Sequence, residues 1–191
     1  MSINVLLVDD NLDSITLVER QLRKAGDYRV DSIGSGTKCL EMLEQKHYDI
    51  LLLDYKLPDM NGLEVLGSIV KEKYDLPVVM ITGQGDEEIA VSALKKGAYE
   101  YVVKSGDFLR NIPSLINRVI EKHTMIKKKE ELEKDLAKSE ERYRTLVTSA
   151  MDGVISVDPR MKVTLWNPAA ERIFGYTEEE MLGQNLMKIF P

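Results

Sequence analysis

The sequence predicts a doubly wound α/β domain with a five-stranded parallel sheet, followed by a long helix and a smaller α+β unit. Three observations carry this. Five strand-length apolar runs, at residues 4–8, 29–33, 50–53, 78–81 and 99–103, alternate with amphipathic segments up to about Val119. In those segments apolar residues recur every three or four positions, as in Leu12, Ile15, Val18 and Leu22 or Leu63, Leu66, Ile69 and Val70, so they share one helical face. Two runs, "ILLL" at 50–53 and "VVMI" at 78–81, are apolar without alternation, the pattern of central parallel strands covered on both faces.

Each element then contributes to one rim. In such sheets functional groups gather at the carboxyl ends of the strands. The first strand ends at Val8 and is followed by Asp9 and Asp10; the third ends at Leu53, followed by Asp54 and a Pro- and Gly-containing loop. The fourth ends at Ile81, followed by Thr82, and the fifth at Val103, followed by Lys104. Four strand ends thus deliver polar groups to one place.

From about Ser114 the periodicity is purely helical and the composition is charged, with no Gly or Pro between Ser114 and Met151. Ile112, Leu115, Val119 and Ile126 form one apolar stripe, and Met125, Leu132, Leu136, Tyr143 and Leu146 form a second. So long a helix with so few apolar groups is weak alone, which predicts a two-stranded coiled coil and a homodimer. After Met151 two strand-like runs, 154–157 and 162–166, flank a turn at Asp158–Arg160 and read as a hairpin. Two short helices follow, one with Pro168 in its first turn and Gly175 at its end, the next capped by Thr177.

Composition narrows the function. With 191 residues, 43% hydrophobic and 30% charged, the chain can bury one ordinary core and a second, smaller one. A net charge of -6 and a pI near 5.1 argue against a general basic surface for nucleic acid, and none is expected as a partner. Cys39 is the single cysteine and cannot form an internal bridge; it reads as a small buried hydrophobe beside Leu40 and Leu43. Met1 leads straight into a strand, and no apolar run approaches the ~20 residues of a membrane span, so the expected location is cytoplasmic, without membrane attachment.

Three carboxylates on one rim repel each other unless a cation joins them. Asp9, Asp10 and Asp54 therefore make sense as oxygen ligands of a divalent ion, and Mg2+ suits a site lacking His and Cys. With the metal, a carboxylate nucleophile, the Thr82 hydroxyl and the Lys104 ammonium are the parts for moving a phosphoryl group. His47 and His123 lack ligand-spaced neighbours and are expected to be exposed. "GSG" at 34–36 and "GQGDEE" at 83–88 lack the spacing of a nucleotide fingerprint and read as turns. Trp166 and Phe174 read as core.

At these residues the chain resembles the receiver domain of two-component response regulators. The resemblance runs from Met1 to about Lys122 and rests on "VDD" ending in Asp9 and Asp10, "LLLDYKLPDMNG" around Asp54, "MITG" with Thr82 and "YVVK" with Lys104. It implies a flavodoxin-like fold in which Asp54 accepts a phosphoryl group from a histidine kinase or phosphotransfer protein. Asp10, Asp54 and the Lys56 carbonyl would bind Mg2+ directly, with Asp9 acting largely through water. Thr82 and Lys104 would assist, Tyr101 would be the aromatic switch, and Pro58 and Gly62 would shape the loop. Lys56 and Gln84 stand where the family tunes acyl-phosphate lifetime. The family usually places proline after the lysine, where this chain has Ser105. The protein is then expected to be a regulatory phosphoacceptor that assists its own phosphorylation and dephosphorylation rather than an enzyme acting on a substrate.

From about Ser139 the sequence looks like the first half of a PAS domain, through "DGVISVD", "WNPAAERIFGY" and "EEEMLGQ". Only two of the five PAS strands are read, so the remainder is expected beyond Pro191, where a catalytic output module stays open. The expected division is a receiver at 1–122, a helical coiled-coil linker at 123–145 and a partial PAS unit at 146–191. Two functions compete: a phosphorylation switch relayed through the linker, or a dimeric PAS-type sensor or scaffold whose receiver is regulatory or silent. A DNA-binding regulator lacks a helix-turn-helix after the receiver.

Overall fold

The structure, a computed structural model, describes residues 2–83 and 87–190. The chain divides into two compact units, residues 1–127 and 128–191. The first holds strands β1 (Ile3–Val8), β2 (Tyr28–Ile33), β3 (Ile50–Asp54), β4 (Val78–Thr82) and β5 (Glu100–Val103). Between them lie α1 (Leu12–Ala25), α2 (Gly36–Gln45), α3 (Gly62–Lys71) and α4 (Glu87–Lys95); α5 (Phe108–Ser149) follows and runs on into the second unit.

All strand pairs of the first unit are parallel, in the order β2-β1-β3-β4-β5. Strand alternation explains why the central runs are apolar throughout. Leu6, Val8, Leu51, Leu53, Val78 and Met80 pack on one face with Cys39, Leu43, Val65, Leu66 and Ile69 of α2 and α3. Val5, Leu7, Ile50, Leu52, Val79 and Ile81 pack on the other with Val18 and Leu22 of α1 and Ile112, Leu115, Ile116 and Val119 of α5. Both faces are dry, so every position of β3 and β4 is buried. Full burial of each such side chain stabilises by about 2 kcal/mol before conformational entropy is counted.

Side-chain caps start the helices where loops leave the rim: Asn11, Ser35 and Asn61 each accept a first-turn amide of α1, α2 and α3. Helix α5 begins at Phe108, six residues before the regular pattern seen in sequence, and carries Pro113 in its second turn. One missing amide there is offset by burial of Ile112 and Leu115 on either side. His123 departs from expectation: its side chain is only 16% exposed, held by Tyr99 and Asp75. His47 is exposed and Cys39 fully buried, its thiol pushed up to about 12 by burial.

The second unit contains β6 (Ile155–Val157) and β7 (Val163–Trp166), an antiparallel pair with a register shift at Ser156–Val157. Helices α6 (Pro168–Phe174) and α7 (Glu178–Met181) and a 3-10 turn, Leu186–Ile189, follow. Val163, Trp166, Ala170 and Met181 form its small core. Phe174, read as core, is 40% exposed and lies against the Trp166 ring at 5.5 Å; Ile173 is more exposed still. Gly175 adopts φ 80° as the left-handed cap that ends α6.

Candidate functional site

The rim at the carboxyl ends of β1 and β3 is where the strand order of this topology reverses, the usual place for a ligand crevice. The apolar β1 and β3 hold Asp9 and Asp54 there almost without exposure, at 1% and 7%. Asp10, next in the chain, is exposed. Carboxylate oxygens of Asp9, Asp10 and Asp54 all lie within 4.8 Å of one another. Such proximity needs a compensating cation.

Lys104, one residue past β5, supplies part of it. Its Nζ donates to Asp54 Oδ2 at 2.6 Å and to Asp9 Oδ2 at 2.7 Å. The Asp9 carboxylate is further fixed by the Ser14 hydroxyl, donating to Oδ2 at 2.6 Å, and by the Asn11 amide, donating to Oδ1 at 3.0 Å. Burial, outweighing the Lys104 ammonium, raises the Asp54 carboxyl above its ordinary range. For Lys104 burial acts downward, but its hydrogen bonds to Asp54 and Asp9 leave the ammonium stabilised and its pKa raised.

Thr82, the last residue of β4, is fully buried, and its Oγ1 has no hydrogen-bond partner among the described residues. A buried hydroxyl left unsatisfied costs about 1–3 kcal/mol. Its backbone is fixed, because the Thr82 carbonyl accepts the Lys104 amide at 2.8 Å. Lys56 follows Asp54 by two residues, its side chain exposed and its amide facing Asp54 Oδ1 at 3.4 Å. Tyr101, in β5, is half-buried against the core face of α2 and α3. Gln84 lies outside the described residues.

The donor set fits a hard divalent ion. Three carboxylates in reach of one another, with no His or Cys among them, are what Mg2+ takes, and Zn2+ does not favour. Ser105 in place of proline also has a structural use: its amide donates to the Val103 carbonyl at 2.8 Å, closing the turn after Lys104. Proline has no such donor. Ser14 is the site residue that sequence reading missed. Its signal was Asn11, whose cap on α1 turns Ser14 back over Asp9.

Comparison with known proteins agrees with this geometry. The family model described as "Response regulator receiver domain" matches residues 5–116, and that described as "PAS fold" matches 141–191. The transcriptional regulatory protein ZraR of Klebsiella oxytoca is 35% identical over 106 residues, 56% of this chain and 24% of that protein. The sensor histidine kinase TmoS of Ectopseudomonas mendocina is 27% identical over 98% of this chain and 22% of its own length. The chain therefore spans about a quarter of the length of these curated relatives. Among solved structures, NtrX from Brucella abortus aligns at TM-score 0.61 and 30% identity over 69% of this chain and 30% of its own. A structure described as adenylate cyclase from Rhodopirellula baltica aligns at 0.62 and 26% identity over 70% of this chain and 98% of its own. Five parallel strands carrying acids, a hydroxyl and a lysine to one rim, together with these matches, place the chain in the response regulator receiver domain family, with the beginning of a PAS fold after its long helix.

Proposed function

We propose that the receiver takes a phosphoryl group onto Asp54 from a histidine kinase or phosphotransfer protein and passes the change through α5 to the PAS unit. The donor's N–P bond breaks as an Asp54 Oδ–P bond forms, and the leaving imidazole keeps the electron pair. The observation that carries this reading is the buried Thr82 hydroxyl, without a hydrogen-bond partner among the described residues, one strand away from a salt-bridged Asp54 and Lys104. Asp10, Asp54 and the Lys56 carbonyl would hold Mg2+, with Asp9 anchoring its waters; the ion supplies charge neutralisation of the phosphoryl oxygens. Lys104 pairs with a developing oxygen charge, and Thr82 donates to another oxygen. Tyr101 follows Thr82 inward. Lys56 shields the acyl phosphate and Gln84 orients the water that removes it; Ala at either position would change the lifetime of phosphorylated protein.

Downstream, α5 joins two copies of the chain. Ile112, Leu115 and Val119 of its first stripe are buried on the sheet and Ile126 is 38% exposed, whereas Met125, Leu132, Leu136, Tyr143 and Leu146 remain between 57% and 71% exposed. Their spacings of seven, four, seven and three are those of a heptad seam, flanked by charge that includes the Lys129–Glu133 pair. This seam supports dimerisation whether or not the receiver is phosphorylated. Beryllium fluoride with Mg2+ tests the relay: amide exchange in β5 and α5 should slow in wild type and stay unchanged in Asp54→Ala. No change in folded wild type would favour a scaffold with a silent receiver.

A further inference from the structure

The segment 34–36, which leaves β2 and ends on the first residue of α2, takes no part in the chemistry proposed above, yet it lies between the two loops that carry the candidate metal ligands. On one side, a Cβ placed on Gly34 would stand 3.3 Å from the Asp10 Cα and 3.5 Å from the Asp9 carbonyl oxygen. On the other, a Cβ on Gly36 would stand 2.4 Å from Met60 Cγ and 2.8 Å from Val65 Cγ2. Bare backbone fills this gap.

Asp59 then fastens the loop after β3 to that segment. Its Oδ2 accepts the Thr37 amide at 2.8 Å and the Ser35 hydroxyl at 2.9 Å, and its Oδ1 accepts the Gly36 amide at 2.9 Å. Both amides belong to the first turn of α2, where backbone donors lack helical partners and negative charge is favoured. The Thr37 and Gly36 amides and the Ser35 hydroxyl hold the Asp59 carboxyl far below the usual range. Asp59 lies three residues beyond Lys56 and five beyond Asp54. The clasp therefore spans from one ligand-bearing loop to a segment packed against the other.

We propose that Asp59 and the Gly34–Ser35–Gly36 segment are positioning residues for Mg2+: they set the spacing between the Asp9–Asp10 loop and the Asp54–Lys56 loop, and so set affinity for the ion. This rests on the metal reading given above. None of these residues is itself a candidate ligand; they act through Asp10 and Lys56.

The test is calorimetric titration of Mg2+ into the full chain without phosphoryl donor, for wild type, Asp59→Ala, Asp59→Asn and Gly34→Ala. The Kd should rise about tenfold in Asp59→Ala, the low end for loss of an outer-shell partner of a metal site. Asp59→Asn, which keeps one acceptor oxygen, should rise less. Gly34→Ala should also weaken binding, because it displaces the Asp10 backbone while leaving the Asp59 clasp alone. A purely structural role would lower the urea midpoint of Asp59→Ala but leave its Kd within about twofold of wild type, and that result overturns the proposal. Should Asp59→Ala not fold, unchanged Kd in both other variants overturns it equally. Wild type that takes up no Mg2+ overturns the metal reading and the clasp with it, whereas wild-type binding with unaltered variants overturns the clasp alone.

Discussion

Lys104 Nζ lies 2.6 Å from Asp54 Oδ2, so a cation from the end of β5 is already seated on the acid at the end of β3. The same ammonium holds Asp9 at the end of β1. One side chain thereby compensates two buried carboxylates that would otherwise repel.

Removing it should expose that repulsion. Lys104→Ala is expected to destabilise the receiver by roughly 2 kcal/mol, below the range for a fully buried pair because the lysine keeps a quarter of its exposure. Urea unfolding checks this, and Mg2+ should restore part of the loss. Equal midpoints for wild type and variant without the ion would contradict it.

The buried acid also sets a pH dependence. The Asp54 carboxyl is raised above 3.8, chiefly by burial, in the folded chain. Stability tied to a raised group is complete below its unfolded value and is lost as pH climbs through the folded one. Asn carries no such loss. Asp54→Asn should therefore gain on wild type as pH rises from below 3.8 to neutral, and a stability difference that stays flat across a urea series would contradict this.

In the second unit, Asn167 is 2% exposed and fully used. Its amide nitrogen donates to the carbonyls of Val147 and Asp152, both at 3.0 Å, and its oxygen accepts the amides of Val154 and Ala170 at 2.8 and 2.9 Å. Asn167→Asp keeps the shape but turns a carboxylate oxygen toward two carbonyls. Both Asp and Ala are expected to cost roughly 2–4 kcal/mol in thermal or urea unfolding of this unit. A near-neutral Asp variant would show that the two bonds donated by the amide nitrogen matter little.

His123 fixes α5 near the end of the first unit. Its Nδ1 lies 2.8 Å from the Tyr99 hydroxyl, and its Nε2 lies 3.0 Å from Asp75 Oδ1, which also receives Lys127 at 2.8 Å. His123→Ala should speed amide exchange in the turns around it while sparing β1 and β3. Exchange unchanged near residue 123 would show that the contact does not hold the helix.

These cases show what was legible in the sequence. Asp9, Asp54, Thr82 and Lys104 could be read because each follows an apolar run whose length and burial dictate where it ends. Gly175 and Thr177 could be read because a cap is a local event, settled within four residues. Ser14 is a local case too, five residues from Asp9 and turned toward it by the Asn11 cap, whereas Asp59 and His123 could not be read, since their partners come from loops or strands that only the folded topology brings near. His123 in particular sits among charged residues of a helix, and nothing nearby in sequence announces Tyr99 or Asp75. Pro113 masks the start of α5 in sequence, so the regular helical pattern begins only at Ser114 although the helix begins at Phe108.

The most direct test is the mass of the intact chain after incubation with acetyl phosphate and Mg2+. Wild type should gain a single phosphoryl group that hydroxylamine removes, as an acyl phosphate requires, while Asp54→Asn gains none. No adduct on folded wild type, or the same adduct on Asp54→Asn, would contradict the assignment of Asp54 as the acceptor.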